Sequence, residues 1–342
     1  MNELEINESE GADEELFEHH KFVVDKGQSL IRIDKFITDK IQNATRNKVQ
    51  NAIDANLILV NNKPVKANYR IKPADVISIF LTSPPRNEEI LGENIPLNIV
   101  YEDDELAVIN KPPGMVVHPA YGNWTGTLVN ALVYHFDNLP SSRNGSIRPG
   151  LIHRIDKDTS GLMVIAKSEI AMTHIAKQFF DHSTDRVYHA LVWGELKKTE
   201  GTIQTLLGRS PYDRKIVTVV EDPEKGKNAI THYKVLQSYQ MVTLVECRLE
   251  TGRTHQIRAH MKHLGHPLFN DASYGGDKIH KGQVTSRYKS FIDKCFEIMP
   301  RQALHAKTLG FEHPTLQKRL FFNSELPQDF AAVLNEWNQF AI

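Results

Sequence analysis

The chain has 342 residues, and its 41 Lys and Arg against 42 Asp and Glu leave a net charge of −1, so total charge gives no pull toward a polyanion. Hydrophobic residues at 40% and charged residues at 24% fit a soluble globular protein, and no apolar run approaches the ~18 residues of a membrane span. At ~100–200 residues per domain this length predicts about two domains. Two widely separated cysteines, Cys247 and Cys295, argue against a disulfide framework or a thiolate metal cage and suit the cytoplasm. The acidic start lacks the basic segment and apolar stretch of a secretory signal.

The charge is unevenly placed. Residues 1–18 hold eight acidic residues and no Lys or Arg, which predicts a disordered acidic tail over 1–19. Between Lys26 and Asp75, ten Lys or Arg stand against four Asp, a local net of +6. Such clustering is the footprint of a polyanion partner; a solvated basic surface is the plain alternative. In chain order, "FEHHKFVV" reads as a short strand. "RIDKFITDKI" puts Ile33, Phe36, Ile37 and Ile41 at helical spacing. "ATRNKVQNAIDAN" predicts a second helix, with Thr45 as N-cap and Val49, Ala52 and Ile53 as its apolar stripe. "LILVNNKPV" reads as strand, turn and strand about Asn61-Asn62, and "KPADVISIFL" as a closing strand. These make a compact basic module over 20–81. Prolines and charges without periodicity mark 82–95 as a linker.

From about Leu97 the texture changes. "IVYEDDELAVINKP" predicts two strands around an acidic turn, and "TLVNALVYHF" a helix. "EIAMTHIAKQFF" is a further helix. "RVYHALVWGEL", "ITHYKVLQSY" and "VTLVECRLET" read as strands, and "THQIRAHMKHLG" as a short helix ending at Gly265. Many short strands broken by helices, with no steady alternation, predict an α+β domain over 96–342. Its sheet should be mixed and largely antiparallel, flanked by helices.

One stretch stands apart. "GLIHRIDKDTSGLMVIAKS" sets a charge-dense turn between two apolar runs. It is either a solvated hairpin end or an active-site loop on a rigid scaffold. Ser160 lacks the strand–elbow–helix signature of a nucleophile, so local turn-forming bonds by Thr159 and Ser160 are expected instead. Asp156 and Asp158 are near neighbours: either a carboxylate pair of the type used on glycosidic bonds, or a pair of which one member is simply solvated. His255, His260, His263 and His266 invite a metal reading, but His255 and His260 do not share a helix face and no ligand set completes a site. No phosphate loop or dinucleotide fingerprint is present. Neither metal nor cofactor is expected.

These residues carry a resemblance. "GLIHRIDKDTSGLMVIAK" resembles the signature loop of the RluA/RluD-type pseudouridine synthases, with Ile155 in place of the usual Leu. "INKPPGMVVHPA", "RVYHALVWG", "LETGRTHQIRAHMKHLGHPLFND" and "QALHAKTLGFEHP" resemble the family's other motifs, in the family's order. Residues 28–80 resemble the small RNA-binding (αL) domain first described in ribosomal protein S-four. The usual Gly at its helix end is missing, and Asn56 is expected to take that left-handed position.

The resemblance implies isomerisation of uridine to pseudouridine in RNA. Asp156 would be the catalytic carboxylate, with Arg258 as the cation beside it. Tyr188 would pack against the uracil and move a proton. Arg154 would fill the gap left by a flipped base. Arg32, Lys35, Arg46 and Lys48 are expected to hold RNA from the basic module. His153 is expected to be structural, bonding backbone, and Lys157 and Asp158 to lie at the surface or support the turn. The branch resembled modifies large-subunit ribosomal RNA. Transfer RNA is the nearest rival substrate, a non-catalytic RNA-binding factor a rival class, and a metal-free glycoside hydrolase using Asp156 and Asp158 a third. A cytoplasmic monomer without membrane contact is expected.

Overall fold

A computed structural model describes residues 17–41, 44–81, 90–120, 123–141, 148–213 and 216–340. The predicted acidic tail lies outside them up to residue 16, and strand β1 (Phe17–Val23) already begins at its end. Most of the predicted linker, 82–89, also lies outside. The chain divides into two compact units, Met1–Glu89 and Ile90–Ile342.

The first unit follows from short amphipathic elements. α1 (Ile33–Lys40) buries Ile33, Phe36 and Ile37, and α2 (Arg46–Asp54) buries Val49, Ala52 and Ile53. Thr45 caps α2, accepting from the Lys48 N–H at 3.4 Å. Asn56 takes φ 57°, the left-handed turn needed to leave α2. β2 (Ile58–Val60), β3 (Lys63–Pro64) and β4 (Val76–Leu81) then form an antiparallel sheet with β1, in the order β1-β4-β2-β3. The turn between β2 and β3 is made by Asn61 and Asn62, both at positive φ.

The second unit is built on a ten-stranded sheet. Its strands are β5 (Ile99–Glu102), β6 (Leu106–Lys111), β7 (Ser160–Ala166), β8 (Asp185–Trp193), β9 (Glu200–Arg209), β10 (Val217–Val220), β11 (Lys227–Ser238), β12 (Val242–Leu249), β13 (Leu304–Glu312) and β14 (Arg319–Asn323). The order is β10-β9-β11-β12-β8-β13-β7-β6-β5, with β14 also on β13. Among the described residues only β7 and β13 pair in parallel. The sheet is thus mixed and largely antiparallel, as expected.

β7 is buried at every position because helices cover both faces. Met163 and Ile165 pack with α3 (Leu128–His135), and Leu162 and Val164 with α4 (Glu169–Phe180). α5 (Gln256–His263) adds Ile257 and Met261 to the α3 side. α6 (Ser286–Ile298) and α7 (Gln328–Gln339) close a separate core around Trp193 and Phe269. Gly161, at φ 115°, is required at the start of β7: a Cβ there would lie 2.3 Å from the Ala306 carbonyl oxygen. Cys247 and Cys295 are both free and buried.

Several histidines are held neutral in this core. Burial pushes His153 down to about 3, and His189, His260 and His305 to about 4. Each binds a proton more readily when unfolded, near the ordinary 6.5. Their stabilisation is therefore complete above about pH 6.5 and is lost as pH falls toward about 4. Melting temperature should decline steadily over that window. In His305→Gln the decline should be shallower, because one titrating group is gone. An equally steep decline in the variant would show that His305 does not contribute.

Candidate active site

The charged loop before β7 is held from beneath by buried cations. Lys111, fully buried at the end of β6, donates to the carbonyls of Pro112 (2.7 Å), Met115 (2.9 Å) and Lys157 (2.9 Å). Arg301, also buried, donates to the Asp158 carbonyl at 2.9 Å while Asp329 holds its fork with two bonds of 2.6 and 2.9 Å. The Thr159 N–H donates to the Asp156 carbonyl at 3.1 Å and closes the turn. Ile155 inserts into the core. On either side of it, Arg154 and Asp156 line a cavity of about 500 Å³, which Ile155 also reaches.

That cavity is also lined by Tyr188 and Arg186 of β8, and by Arg253, His255 and Arg258. Arg258 Nη1 donates to Asp156 Oδ2 at 3.1 Å. Its other face is taken by Asp271, through Nε at 2.7 Å and Nη2 at 2.8 Å. Burial alone would lower the Arg258 guanidinium, but Asp271 and then Asp156 hold it above its ordinary value. Tyr274 lies under the guanidinium, 4.8 Å from ring centre to Cζ. The Tyr274 hydroxyl donates to the Val217 carbonyl and pairs with His255 Nδ1 at 3.1 Å. His255 Nε2 stands 3.8 Å from Asp156 Oδ1, and the residue adopts φ 53° at the head of α5. Gln256 fixes that helix end: its Nε2 donates to the Ile230 carbonyl, and its Oε1 accepts from the Thr251 hydroxyl and the Arg253 N–H.

Asp156, Tyr188, Arg258 and Arg154 thus come together around one space. Tyr188 is 8% exposed, and burial pushes its phenol up, so it stays protonated near neutral pH. Asp158 does not line the cavity; its backbone is bound by Arg301. Asp158 therefore belongs to the turn, and the alternative of two carboxylates lining one space finds no support in the lining. His153 is structural, as expected: its Nε2 accepts from the Val164 N–H at 3.1 Å and its ring stacks on Phe179. Ser160 bonds His305 Nδ1 at 2.9 Å, a side chain 145 residues away rather than the local backbone expected. His260 is buried between Thr205 and Thr231, and among the described residues no group of three or more His, Cys, Asp or Glu is placed to hold a metal.

Of the basic-module residues, Lys35 and Arg46 are exposed and Lys48 partly so. Arg32 is half-exposed, but two of its donors are bound by the buried carboxylate of Asp34, which also accepts from Gln50 of α2.

Comparison with known proteins agrees with this layout. The family description "RNA pseudouridylate synthase" matches residues 105–263, and "S4 domain" matches 31–77. The chain is 46% identical to an uncharacterised RNA pseudouridine synthase of Chlorobaculum parvum, covering 92% of this chain and 96% of that one. It is 42% identical to the ribosomal large subunit pseudouridine synthase D of Zymomonas mobilis, covering 87% and 91%. The chain belongs to the RNA pseudouridine synthase family. The solved structure of human RNA pseudouridylate synthase domain containing 1 shares its fold, with TM-score 0.52 at 26% identity over 71% of this chain and 89% of that one. As a pseudouridine synthase the protein is an isomerase acting on RNA.

Asp271, Tyr274 and Arg186 were not singled out from the sequence, and His255 was weighed there only as a metal ligand. Asp271 ends the "GHPLFND" stretch, yet nothing in its 13-residue separation from Arg258 announces the pair. Removing its charge leaves Arg258 buried with one carboxylate instead of two. Asp271→Asn should cost about 3 kcal/mol, seen as a drop in melting temperature on the order of 10 °C. Turnover per folded molecule should fall as well, because Arg258 no longer presents a fixed donor to Asp156. A normal rate in a destabilised protein would limit Asp271 to the fold.

Proposed function

We propose that this pseudouridine synthase modifies large-subunit ribosomal RNA with Asp156 as its catalytic carboxylate. The observation carrying this reading is Asp156, held by Arg258 at 3.1 Å in a cavity shared with Tyr188. The ribosomal substrate rests on the likeness to large-subunit synthases D across most of the chain.

The chemistry follows from the residues. A stacked uridine must leave its helix to enter the cavity, at a cost of a few kcal/mol. The exposed guanidinium of Arg154, two residues from Asp156, is placed to fill the vacated position. The ionised Asp156 assists cleavage of the C1′–N1 bond as nucleophile or by stabilising positive charge on the sugar. The freed uracil turns against the face of Tyr188, and C5 bonds to C1′. The C5 proton is then released and N1 is protonated, so the sum is an isomerisation with no redox change. Tyr188, buried and protonated, supplies an apolar face and a hydroxyl for this proton movement. Arg258 orients Asp156 through its Nη1 donor.

The basic module would supply affinity. Lys35, Arg46, Lys48 and the free donors of Arg32 neutralise phosphates. Each lost contact should reduce the slope of log affinity against log salt by about 1. The double variant Lys35→Gln/Arg46→Gln should therefore bind RNA more weakly with a slope shallower by about 2. An unchanged slope would remove these residues from the interface.

Asp156→Asn should fold and bind RNA normally while single-turnover pseudouridine formation falls by orders of magnitude. Residual activity within tenfold of wild type would show that another group carries the reaction. Tyr188→Phe should retain RNA affinity and lose rate. A simple structural role would instead lower stability by about 1 kcal/mol and leave the rate per folded molecule intact. Mapping pseudouridine in ribosomal and transfer RNA of cells with and without the protein decides the substrate. A missing site confined to transfer RNA would overturn the ribosomal assignment.

A further inference from the structure

Arg186 is a buried cation that the chemistry above does not use. It is 7% exposed, lies two residues before Tyr188 on β8, and lines the same cavity. Arg258 is neutralised by two carboxylates and Arg301 by one. Among the described residues Arg186 pairs with no carboxylate. Its Nη2 donates to the Glu250 carbonyl at a long 3.3 Å, and its buried Nε has no acceptor. Its guanidinium lies over the Phe179 ring at 5.1 Å. Nη1 lies close against Gly252, where an added Cβ would stand 2.8 Å from it.

A desolvated guanidinium with an empty donor is costly, and an anion is what it lacks. The substrate class brings one with every nucleotide. We propose that Arg186 forms a phosphate-binding subsite that holds the phosphodiester adjoining the uridine being isomerised. The subsite rests on the reading that Asp156 and Tyr188 face the glycosidic centre. Two residues of strand separate Arg186 from Tyr188 by about 6.6 Å, the reach from a nucleoside's base to its own phosphodiester. Arg154 and Arg253 line the same cavity and are exposed, so the anion enters a region already positive. With Nη2 on the Glu250 carbonyl and Nε enclosed, Nη1 is the donor left for a phosphate oxygen. Uracil, being neutral, offers no such compensation. The grip works differently from the salt-screened contacts of the basic module, because Arg186 is enclosed. It fixes the backbone on one side of the sugar while the base turns over on the other.

The test compares uridine 3′,5′-bisphosphate with uridine as ligands for the full chain, by calorimetry and by ³¹P resonance shifts. Wild type should bind the bisphosphate at least tenfold more tightly. Arg186→Gln should bring the bisphosphate to the affinity of uridine and leave uridine itself unchanged. Arg186→Lys should recover part of the preference, keeping charge without the fork. Gly252→Ala is an independent variant that retains the guanidinium but displaces it, and should lose the preference several-fold. It carries the test if Arg186→Gln does not fold. Wild type that does not favour the bisphosphate overturns the proposal, as does an undiminished preference in folded Arg186→Gln. An equal loss of both ligands in that variant would assign Arg186 to the base or to the fold, and also overturns it. Turnover of Asp156→Asn is measured separately, so failure of the catalytic assignment leaves the phosphate comparison standing.

Discussion

The site depends on one buried guanidinium shared by two carboxylates. Asp271, 1% exposed, takes the Nε and Nη2 donors of Arg258 and leaves Nη1 for Asp156. A planar fork held on one side cannot turn, so the direction of the remaining donor is set before any substrate arrives. Neither partner could be buried alone without a penalty of several kcal/mol. Asp271 is itself fixed by the chain: its Oδ1 also accepts from the Tyr274 N–H, at the head of a short 3-10 turn. Tyr274 in turn supports the guanidinium from below and anchors to Val217 in β10. The cation that orients Asp156 is thereby tied to the far edge of the sheet.

Asp156 is positioned from its own side by a second device. Its loop has no regular hydrogen bonding, so its carbonyls need donors from elsewhere. Lys111 supplies them from the end of β6 and Arg301 from the segment just before β13, the two strands that flank β7 in the sheet. Long cationic side chains suit this task, since each satisfies several carbonyls from one buried point. The high charge density of the "HRIDKD" segment therefore has two origins. Arg154 and Asp156 face the cavity, whereas the backbone of Lys157 and Asp158 is held from beneath.

What the sequence disclosed follows the range of the forces involved. α1, α2 and Thr45 were legible because a short amphipathic helix and its cap are local, set within four residues. The apolar run 162–166 was legible as a buried element, and the structure makes it a strand covered on both faces. Asp156, Tyr188 and Arg258 were found through family motifs, and their convergence could not have been derived from spacing: they are brought together by β7, β8 and α5, with β13 lying between β7 and β8 in the sheet. α6 and α7 went unpredicted although Tyr288, Ile292 and Cys295, and Phe330, Val333, Leu334 and Trp337, stand at helical spacing. The partner of Ser160 was beyond reach, because His305 meets it only through the parallel pairing of β7 with β13. So was the isolation of Arg186, which is a property of the surrounding space rather than of any neighbour in sequence.

The cavity's charges are divided by what compensates them. Asp156 and Asp271 balance Arg258 and leave a rigid, internally paired unit at the centre. Arg186, Arg154 and Arg253 surround it without adding a carboxylate to the lining. A nucleotide presents the complementary arrangement, a neutral base and sugar joined to a charged backbone. Its neutral part can approach the paired unit, where a further ion would face an already satisfied carboxylate. Its anion is drawn to the arginines around it. The polarity of the cavity therefore favours one orientation of the nucleotide before any base-specific bond is made. The preference is strongest at Arg186, where low exposure removes the screening that weakens the outer two.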